Sequence, residues 1–165
     1  MPKSFSRKRL SAWDRRLAAI HEAGHVTMAR YVGLIVTSAW LEETREGGIY
    51  EKFWIGHTSY MLPFISKKRI SRKKMSMFAV AGTVAERCWH REAFDYDLWF
   101  DAYAMSDSDW AGCDCEPGDP PPQLLEIIKT VFSLFDREAG ELWPAVVIEA
   151  RSLIKDSRDA AGTTL

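Results

Sequence analysis

The sequence predicts an α+β fold that is mainly helical, with one small sheet after the first long helix and a helical C-terminal part. Apolar residues recur at the spacing of an α-helix in four segments, residues 12–32, 74–89, 122–137 and 144–156. Residues 34–41 are instead rich in β-branched and aromatic side chains, which is typical of a strand. With 165 residues, of which 47% are hydrophobic and 27% charged, the chain is expected to form a single domain.

The first helix is expected to run from Ala12 to Val32. Ser11 and Asp14 have the spacing of a capping box, in which Ser11 is the N-cap and Asp14 occupies the third helical position. No proline or glycine interrupts the nine residues that follow Asp14. Gly33 is suited to ending the helix, because glycine adopts the left-handed backbone conformation without strain.

The middle of this helix carries the sequence His21-Glu22-Ala23-Gly24-His25, which is the H-E-x-x-H motif of zinc metallopeptidases. Residues four apart lie one above the other on a helix, so both imidazoles can reach a single tetrahedral Zn²⁺. Glu22 then lies beside the metal, where it can take a proton from a zinc-bound water. Ala23 and Gly24 allow another backbone to pack closely, although glycine costs a helix roughly 1 kcal/mol relative to alanine.

A small sheet is expected directly after the motif helix. Its first strand covers residues 34–41, and a turn follows at residues 46–48. Residues 49–61 contain a second strand and leave room for a third, with Gly56 as the break between them. Pro63 is expected to end this part of the chain.

The rest of the chain is predicted to be helical apart from its loops. A basic segment, residues 67–74, leads into a helix that ends near Trp89. The buried stripe of that helix is expected to comprise Met77, Val80, Ala81, Val84, Ala85 and Cys88. Residues 94–110 are aromatic and acidic and give no clear assignment, and residues 113–122 form a proline-rich loop. The last two helices, residues 122–137 and 144–156, each have a proline near the first helical position, where its missing N–H is not needed.

A catalytic zinc needs a third protein ligand and an open fourth position. One class of zinc peptidases supplies it through H-E-x-x-H-x-x-G-x-x-H, but residues 26–31 contain neither that glycine nor that histidine. Glu86 on the second long helix is one remaining candidate, and Asp107 and Asp109 are two more. For Glu86 we expect a salt bridge or a hydrogen bond beside the core, and for one of the two aspartates a role in capping a helix after Ser106.

Two segments together resemble the peptidase domain of the FtsH-type ATP-dependent zinc metalloproteases. They are the motif helix and the sequence A-G-T-V-A-E at residues 81–86, which is followed by a stretch of small residues and aspartates. The resemblance covers residues 12–156 and is strong only at these two segments. Because that family is mostly helical, the resemblance implies a mainly helical, zincin-like fold for this region.

The same resemblance orders the candidate site residues. It implies that His21, His25 and a distant aspartate bind Zn²⁺, and that Glu22 is the general base. Asp109 matches the distant aspartate best, because it precedes an apolar residue as the family's Asp-Leu does. Asp107 is the second choice.

The sequence therefore predicts a zinc-dependent metalloendopeptidase that cleaves peptides or unstructured segments. The chain has no G-x-x-x-x-G-K-[ST] loop and lacks the family's ATPase module, so cleavage of folded substrates is expected to need a separate ATPase unfoldase. FtsH-type enzymes are hexameric, so the resemblance implies a homo-oligomer. The alternative is a catalytically silent protein that binds metal and regulates or binds a partner. It is favoured by the early interruption of the aspartate helix at residues 112–117.

The charged residues are distributed unevenly. Residues 1–91 carry 17 Lys/Arg against 7 Asp/Glu, whereas residues 92–165 carry 5 against 16, which together give the net charge of −1. Residues 1–10 are interpreted as a basic tail and residues 157–165 as a flexible C-terminus. Six of the eight residues 67–74 are basic, but no nucleic-acid-binding motif accompanies them, so a solvated helix start is preferred to a nucleic-acid or membrane surface.

The remaining features favour a cytoplasmic protein without further sites. Three cysteines, an odd number, do not indicate a disulfide framework. No apolar run is long enough to span a bilayer. Cys113 and Cys115 provide only half of a structural zinc site, His57 is expected to be an ordinary strand residue, and His90 completes no recognisable cluster.

Overall fold

The computed structural model describes residues 7–44, 53–63 and 69–158. In these ranges the α-helices are α1 (Arg7–Val32), α2 (Arg72–Trp89), α3 (Asp107–Gly112), α4 (Pro122–Phe135) and α5 (Trp143–Lys155). One sheet joins β1 (Ile35–Glu43) to β2 (Trp54–Met61), and two 3₁₀ turns, Asp97–Phe100 and Ala102–Ala104, precede α3. The structure confirms the mainly helical α+β prediction. None of the described helices is both long enough and apolar enough to cross a membrane.

The predicted N-terminal cap of α1 is wrong. The helix already begins at Arg7, so Ser11 and Asp14 lie inside it. Both side chains instead bind Trp54 of β2: the indole Nε1 donates to Ser11 Oγ at 3.0 Å, and the backbone N–H of Trp54 donates to Asp14 Oδ2 at 2.8 Å. The side chains that were expected to cap the helix are therefore used in a long-range contact with β2. The other end of the helix agrees with the prediction, because Gly33 follows it with φ of +91°.

Helices α1 and α2 pack closely through small residues. A Cβ atom on Gly24 would lie 2.5 Å from the carbonyl oxygen of Ala81 and 2.8 Å from Cβ of Ala85, so only glycine allows this separation. All six predicted members of the α2 stripe are buried. The predicted close backbone approach at Gly24 is therefore present, and it fixes the motif helix against the helix that carries Glu86.

Replacing Gly24 with alanine is expected to destabilise the protein. Alanine improves the helix propensity by roughly 1 kcal/mol. The added methyl group, however, meets the backbone of Ala81, which cannot rotate away as a side chain can. Overpacking costs about 1–3 kcal/mol, and a clash with backbone lies at the upper end of that range, so we expect a net loss of about 1–2 kcal/mol in the free energy of unfolding, measured by urea denaturation. Ser152→Ala, at an exposed position of α5, is the control and should change little. Equal or higher stability of Gly24→Ala would contradict the close packing.

The sheet is a single antiparallel pair, in which Trp40 lies opposite His57. The predicted strand break at Gly56 is wrong, because β2 continues through this residue, which pairs with Leu41. A Cβ on Gly56 would lie 2.3 Å from Cγ of Glu22, so this glycine allows the strand to approach α1. The predicted turn at residues 46–48, like the first residues of the predicted second strand, lies outside the described residues.

The outer edge of β1 is paired with the end of the described chain. The backbone N–H of Glu43 donates to the carbonyl oxygen of Arg158 at 3.0 Å, and the two segments run parallel there. Ser157 is fully buried and bonded to the guanidinium of Arg15 on α1. Residues 159–165, the rest of the segment predicted to be flexible, lie outside the described residues.

The basic segment and the acidic C-terminal part meet at the start of α2. Ser71 caps this helix by accepting a hydrogen bond from the backbone of Lys74 at 3.3 Å. Arg72 forms an ion pair with Asp114, which lies two residues after the end of α3. Lys73 and Lys74 are exposed, in agreement with a solvated helix start. Residues 67 and 68 lie outside the described residues.

Candidate metal centre

Three side chains from two helices converge on one point. His21 and His25 lie one turn apart on α1, and their Nε2 atoms are 3.1 Å from each other. Asp109, in the first turn of α3, has Oδ2 at 3.8 Å from Nε2 of His21 and Oδ1 at 3.6 Å from Nε2 of His25. Among the described residues, these three form the one group of His, Cys, Asp and Glu side chains with a spacing suited to a metal ion.

Both imidazoles are oriented by hydrogen bonds on the side away from this point. Nδ1 of His25 lies 2.9 Å from the carbonyl oxygen of Phe78, and Nδ1 of His21 lies 2.5 Å from Oε1 of Glu86. A carbonyl oxygen and a carboxylate can only accept, so each Nδ1 carries the proton. In the neutral form of each ring, the lone pair is then on Nε2 and faces the common point, as in metal sites where a second residue orients a ligating histidine.

The arrangement fits a zinc ion. Two facing lone pairs 3.1 Å apart repel each other unless a proton or a cation lies between them. Oδ2 of Asp109 is buried and has no hydrogen-bond partner among the described residues, which is costly for a carboxylate that binds nothing. Tetrahedral Zn²⁺ with bonds near 2.0–2.1 Å separates its ligand atoms by roughly 3.4 Å. The distance of 3.1 Å between the two Nε2 atoms lies close to that value. The two oxygens of Asp109 lie slightly farther away, Oδ1 at 3.6 Å from His25 and Oδ2 at 3.8 Å from His21.

The pKa values of the two histidines move in opposite directions. Burial alone would lower the pKa of His21, but its hydrogen bond to Glu86 and the charges of Glu86, Glu22 and Asp109 together raise it. The pKa of His25 is lowered, first by burial and then by the adjacent His21. In addition to the two Nδ1 protons, the pair therefore takes up one further proton more readily than a second. A metal ion that binds here replaces that proton, so binding is coupled to proton release.

Gly82 of α2 leaves the space that the histidines need. A Cβ atom on this residue would lie 2.5 Å from Nε2 of His21 and 2.5 Å from Nε2 of His25. In the sequence, Gly82 stands out only as part of the A-G-T-V-A-E segment, and its role beside the histidines was not predicted. A signal was available, because a glycine inside a helix of good helix formers carries a cost of roughly 1 kcal/mol that some close contact must explain.

Glu22 lies beside the three-residue group and faces a cavity of about 440 Å³. Its side chain is buried, with only 7% of its surface exposed. The hydroxyl of Thr58 on β2 donates to Oε2 of Glu22 at 2.6 Å. The cavity is bounded by α1, β2, α2 and α3, so the small sheet forms one wall of the cavity that the converging side chains also line. Thr58 is a site residue that sequence reasoning missed, because nothing in the local sequence indicates which face of β2 meets α1.

The other third-ligand candidates have different surroundings. Asp107 is exposed at the start of α3 and does not belong to the converging group. Glu86 makes the expected hydrogen bond, to His21, and lies outside the group as well. The cap of α3 is Ser106 itself, whose Oγ accepts from the backbone N–H of Asp109 at 3.2 Å. Capping by either aspartate side chain, which the sequence suggested for one of them, is therefore wrong.

The remaining candidate residues do not form a second cluster in the described part of the chain. Cys113 is buried, and burial, followed by the neighbouring Cys115 and Asp109, raises its pKa to about 12. Neither Cys113 nor Cys115 belongs to the converging group. The ring of His57 packs against Trp40 with centroids 5.8 Å apart, as expected of a strand residue, although it also lines the edge of the cavity. His90 ends α2.

The sequence matches no protein-family model and no curated protein. The resemblance to FtsH-type peptidases therefore remains a prediction from two short segments. What the site can do follows from its own geometry.

Proposed function

We propose that this protein is a zinc-dependent endopeptidase that cleaves peptides or unstructured segments of proteins. His21, His25 and Asp109 hold the Zn²⁺, and Glu22 is the general base. The observation that carries the proposal is the convergence, on one point beside Glu22, of two oriented Nε2 lone pairs and a buried carboxylate whose Oδ2 has no hydrogen-bond partner among the described residues. That set of donors matches a catalytic site with three protein ligands and an open fourth position.

The residues of the site have separate roles in the proposed reaction. A bound Zn²⁺ supplies a Lewis acid, which polarises a carbonyl group and lowers the pKa of a water to about 7. Glu22 accepts the proton from the attacking water and transfers it to the leaving amine. Glu86 and the carbonyl of Phe78 keep the two histidines in the tautomer and orientation that binding requires.

The cavity suits an extended chain rather than a folded domain. Its volume is about 440 Å³, and its lining includes the rings of Tyr60 and Phe78, whose centroids lie 4.7 Å apart. Met75 adds to this apolar side. Peptides and unfolded segments are therefore the proposed substrates, and folded proteins would need a separate ATPase unfoldase. A homo-oligomer follows from the resemblance. A cytoplasmic location fits the three free cysteines.

A second candidate function is metal binding without turnover. It is favoured by the shortness of α3, which has six residues and ends three residues after Asp109. A regulatory or binding protein on this scaffold would retain zinc and would not cleave an unstructured substrate such as casein. Metal content and proteolysis, measured on the same sample, separate the two functions.

Removing Asp109 is expected to remove the metal. The wild type, reconstituted with Zn²⁺ and dialysed, should contain close to one zinc per chain by elemental analysis. Asp109→Ala should contain a small fraction of that, because two imidazoles alone leave the ion without its anionic ligand. Asp107→Ala is the matched control, since it removes an exposed aspartate two residues away, and it should retain the wild-type content. Full zinc content in Asp109→Ala would refute this ligand set, and no zinc in the reconstituted wild type would refute the proposed function.

A further inference from the structure

One face of β2 packs against α1, and successive residues of that face contact successive parts of the helix. Trp54, Gly56 and Thr58 alternate along the strand and therefore point to the same side. Trp54 is fixed to α1 by its bonds to Ser11 and Asp14. That attachment sets the register of the strand along the helix, so that the next two residues of the same face lie against Glu22.

Both of these residues contact the carboxylate of Glu22. The hydroxyl of Thr58 lies 2.6 Å from Oε2, within the range of a hydrogen bond to a charged oxygen. At Gly56, a Cβ atom would lie 2.3 Å from Cγ and 2.7 Å from Oε1 of Glu22. The strand thus binds one oxygen of the carboxylate and leaves space for the other. Within the described part of the chain, no hydrogen bond is donated to Oε1, so this oxygen is available to accept a proton.

We propose that Thr58 is a positioning residue for Glu22. Its hydrogen bond fixes the rotation of the carboxylate about its last torsion, so that Oε1 is presented to the cavity. This inference rests on the proposed function, in which Oε1 takes the proton of the attacking water and later gives it to the leaving amine. An unrestrained glutamate would sample several orientations, and a general base acts only from hydrogen-bonding distance.

The test compares Thr58→Val, which has the same shape without the hydroxyl, with Thr58→Ser, which keeps the hydroxyl. With zinc-loaded protein and an unstructured fluorogenic peptide, we expect Thr58→Val to lower kcat about 10- to 100-fold, with little change in KM or zinc content. Thr58→Ser should restore most of kcat. Ser59→Ala is the control, because Ser59 is the neighbouring hydroxyl on β2 and does not line the cavity. Wild-type kcat in Thr58→Val would overturn the inference, as would an equal loss in Thr58→Ser.

A second measurement does not depend on catalysis. Urea unfolding of the metal-free wild type, Thr58→Val, Glu22→Ala and the double variant forms a double-mutant cycle for the two side chains. Non-additive changes in the free energy of unfolding support the role of Thr58 in holding Glu22, and additive changes overturn it. Should the zinc-loaded wild type fail to cleave any unstructured substrate, the proposed function falls, and the cycle alone still decides whether Thr58 restrains Glu22.

Discussion

Gly82→Ala is expected to abolish zinc binding although it removes no ligand. The new methyl group would lie 2.5 Å from Nε2 of both His21 and His25, where neither imidazole can remain. Each ring is hydrogen-bonded through Nδ1, His21 to Glu86 and His25 to the carbonyl of Phe78. A shift of either ring therefore breaks its bond or turns Nε2 away from the common point. Elemental analysis after reconstitution should find almost no zinc.

The same substitution should leave the folded state intact, which separates the loss of metal from general damage. Alanine inside α2 gains roughly 1 kcal/mol of helix propensity, which offsets part of the cost of displacing the two imidazoles, so the metal-free variant should stay folded and lose no more than about 2 kcal/mol in the free energy of unfolding. Gly33→Ala is the matched control, because φ of +91° strains an alanine there by about 1–2 kcal/mol, far from the histidines. It should lose stability and retain zinc. Wild-type zinc content in Gly82→Ala would contradict the converging geometry.

Glu22→Gln is expected to retain zinc and lose peptidase activity. Glutamine has nearly the same shape and can still accept the hydrogen bond from Thr58, but it cannot take a proton from water. Because general-base catalysis contributes about 10²- to 10⁴-fold, kcat on an unstructured peptide should fall by about that factor. Zinc content should match wild type, because Glu22 lies outside the ligand group.

The control for this experiment is Glu126→Gln, which makes the same chemical change on the exposed surface of α4. It should cleave at the wild-type rate. Peptide cleavage by Glu22→Gln at the wild-type rate would refute the role of Glu22. A wild type that binds zinc and cleaves nothing would instead favour the silent, metal-binding alternative.

The part of the site that depends on local sequence could be predicted. Helical periodicity around residues 12–32 and the spacing of His21 and His25 are sufficient to place both imidazoles on one face of α1. The α2 stripe follows from the same periodicity. The contribution of Asp109 could not be derived in this way. It depends on how α3 packs against the other helices, and only the resemblance ranked it above Asp107.

Two local signals were misinterpreted because a tertiary contact uses the same residues. Ser11 and Asp14 have the spacing of a capping box, yet both bind Trp54, which is some forty residues away in sequence. Gly56 looks like a strand break, yet it is the point where β2 approaches Glu22. In sequence, a glycine required by a close approach cannot be distinguished from one required by a turn, since both positions only exclude a side chain.

The pairing of Arg158 with β1 has a consequence for aggregation. A strand edge with free N–H and C=O groups is a template on which another chain can add a strand. Here the last described residues occupy part of that edge, and the bond from Arg15 to the buried Ser157 holds them in place. A chain shortened to end before Ser157 would expose the backbone groups of Leu41 and Glu43 that Arg158 binds. Residues 157 and 158 therefore cover part of the edge to which another chain could add a strand.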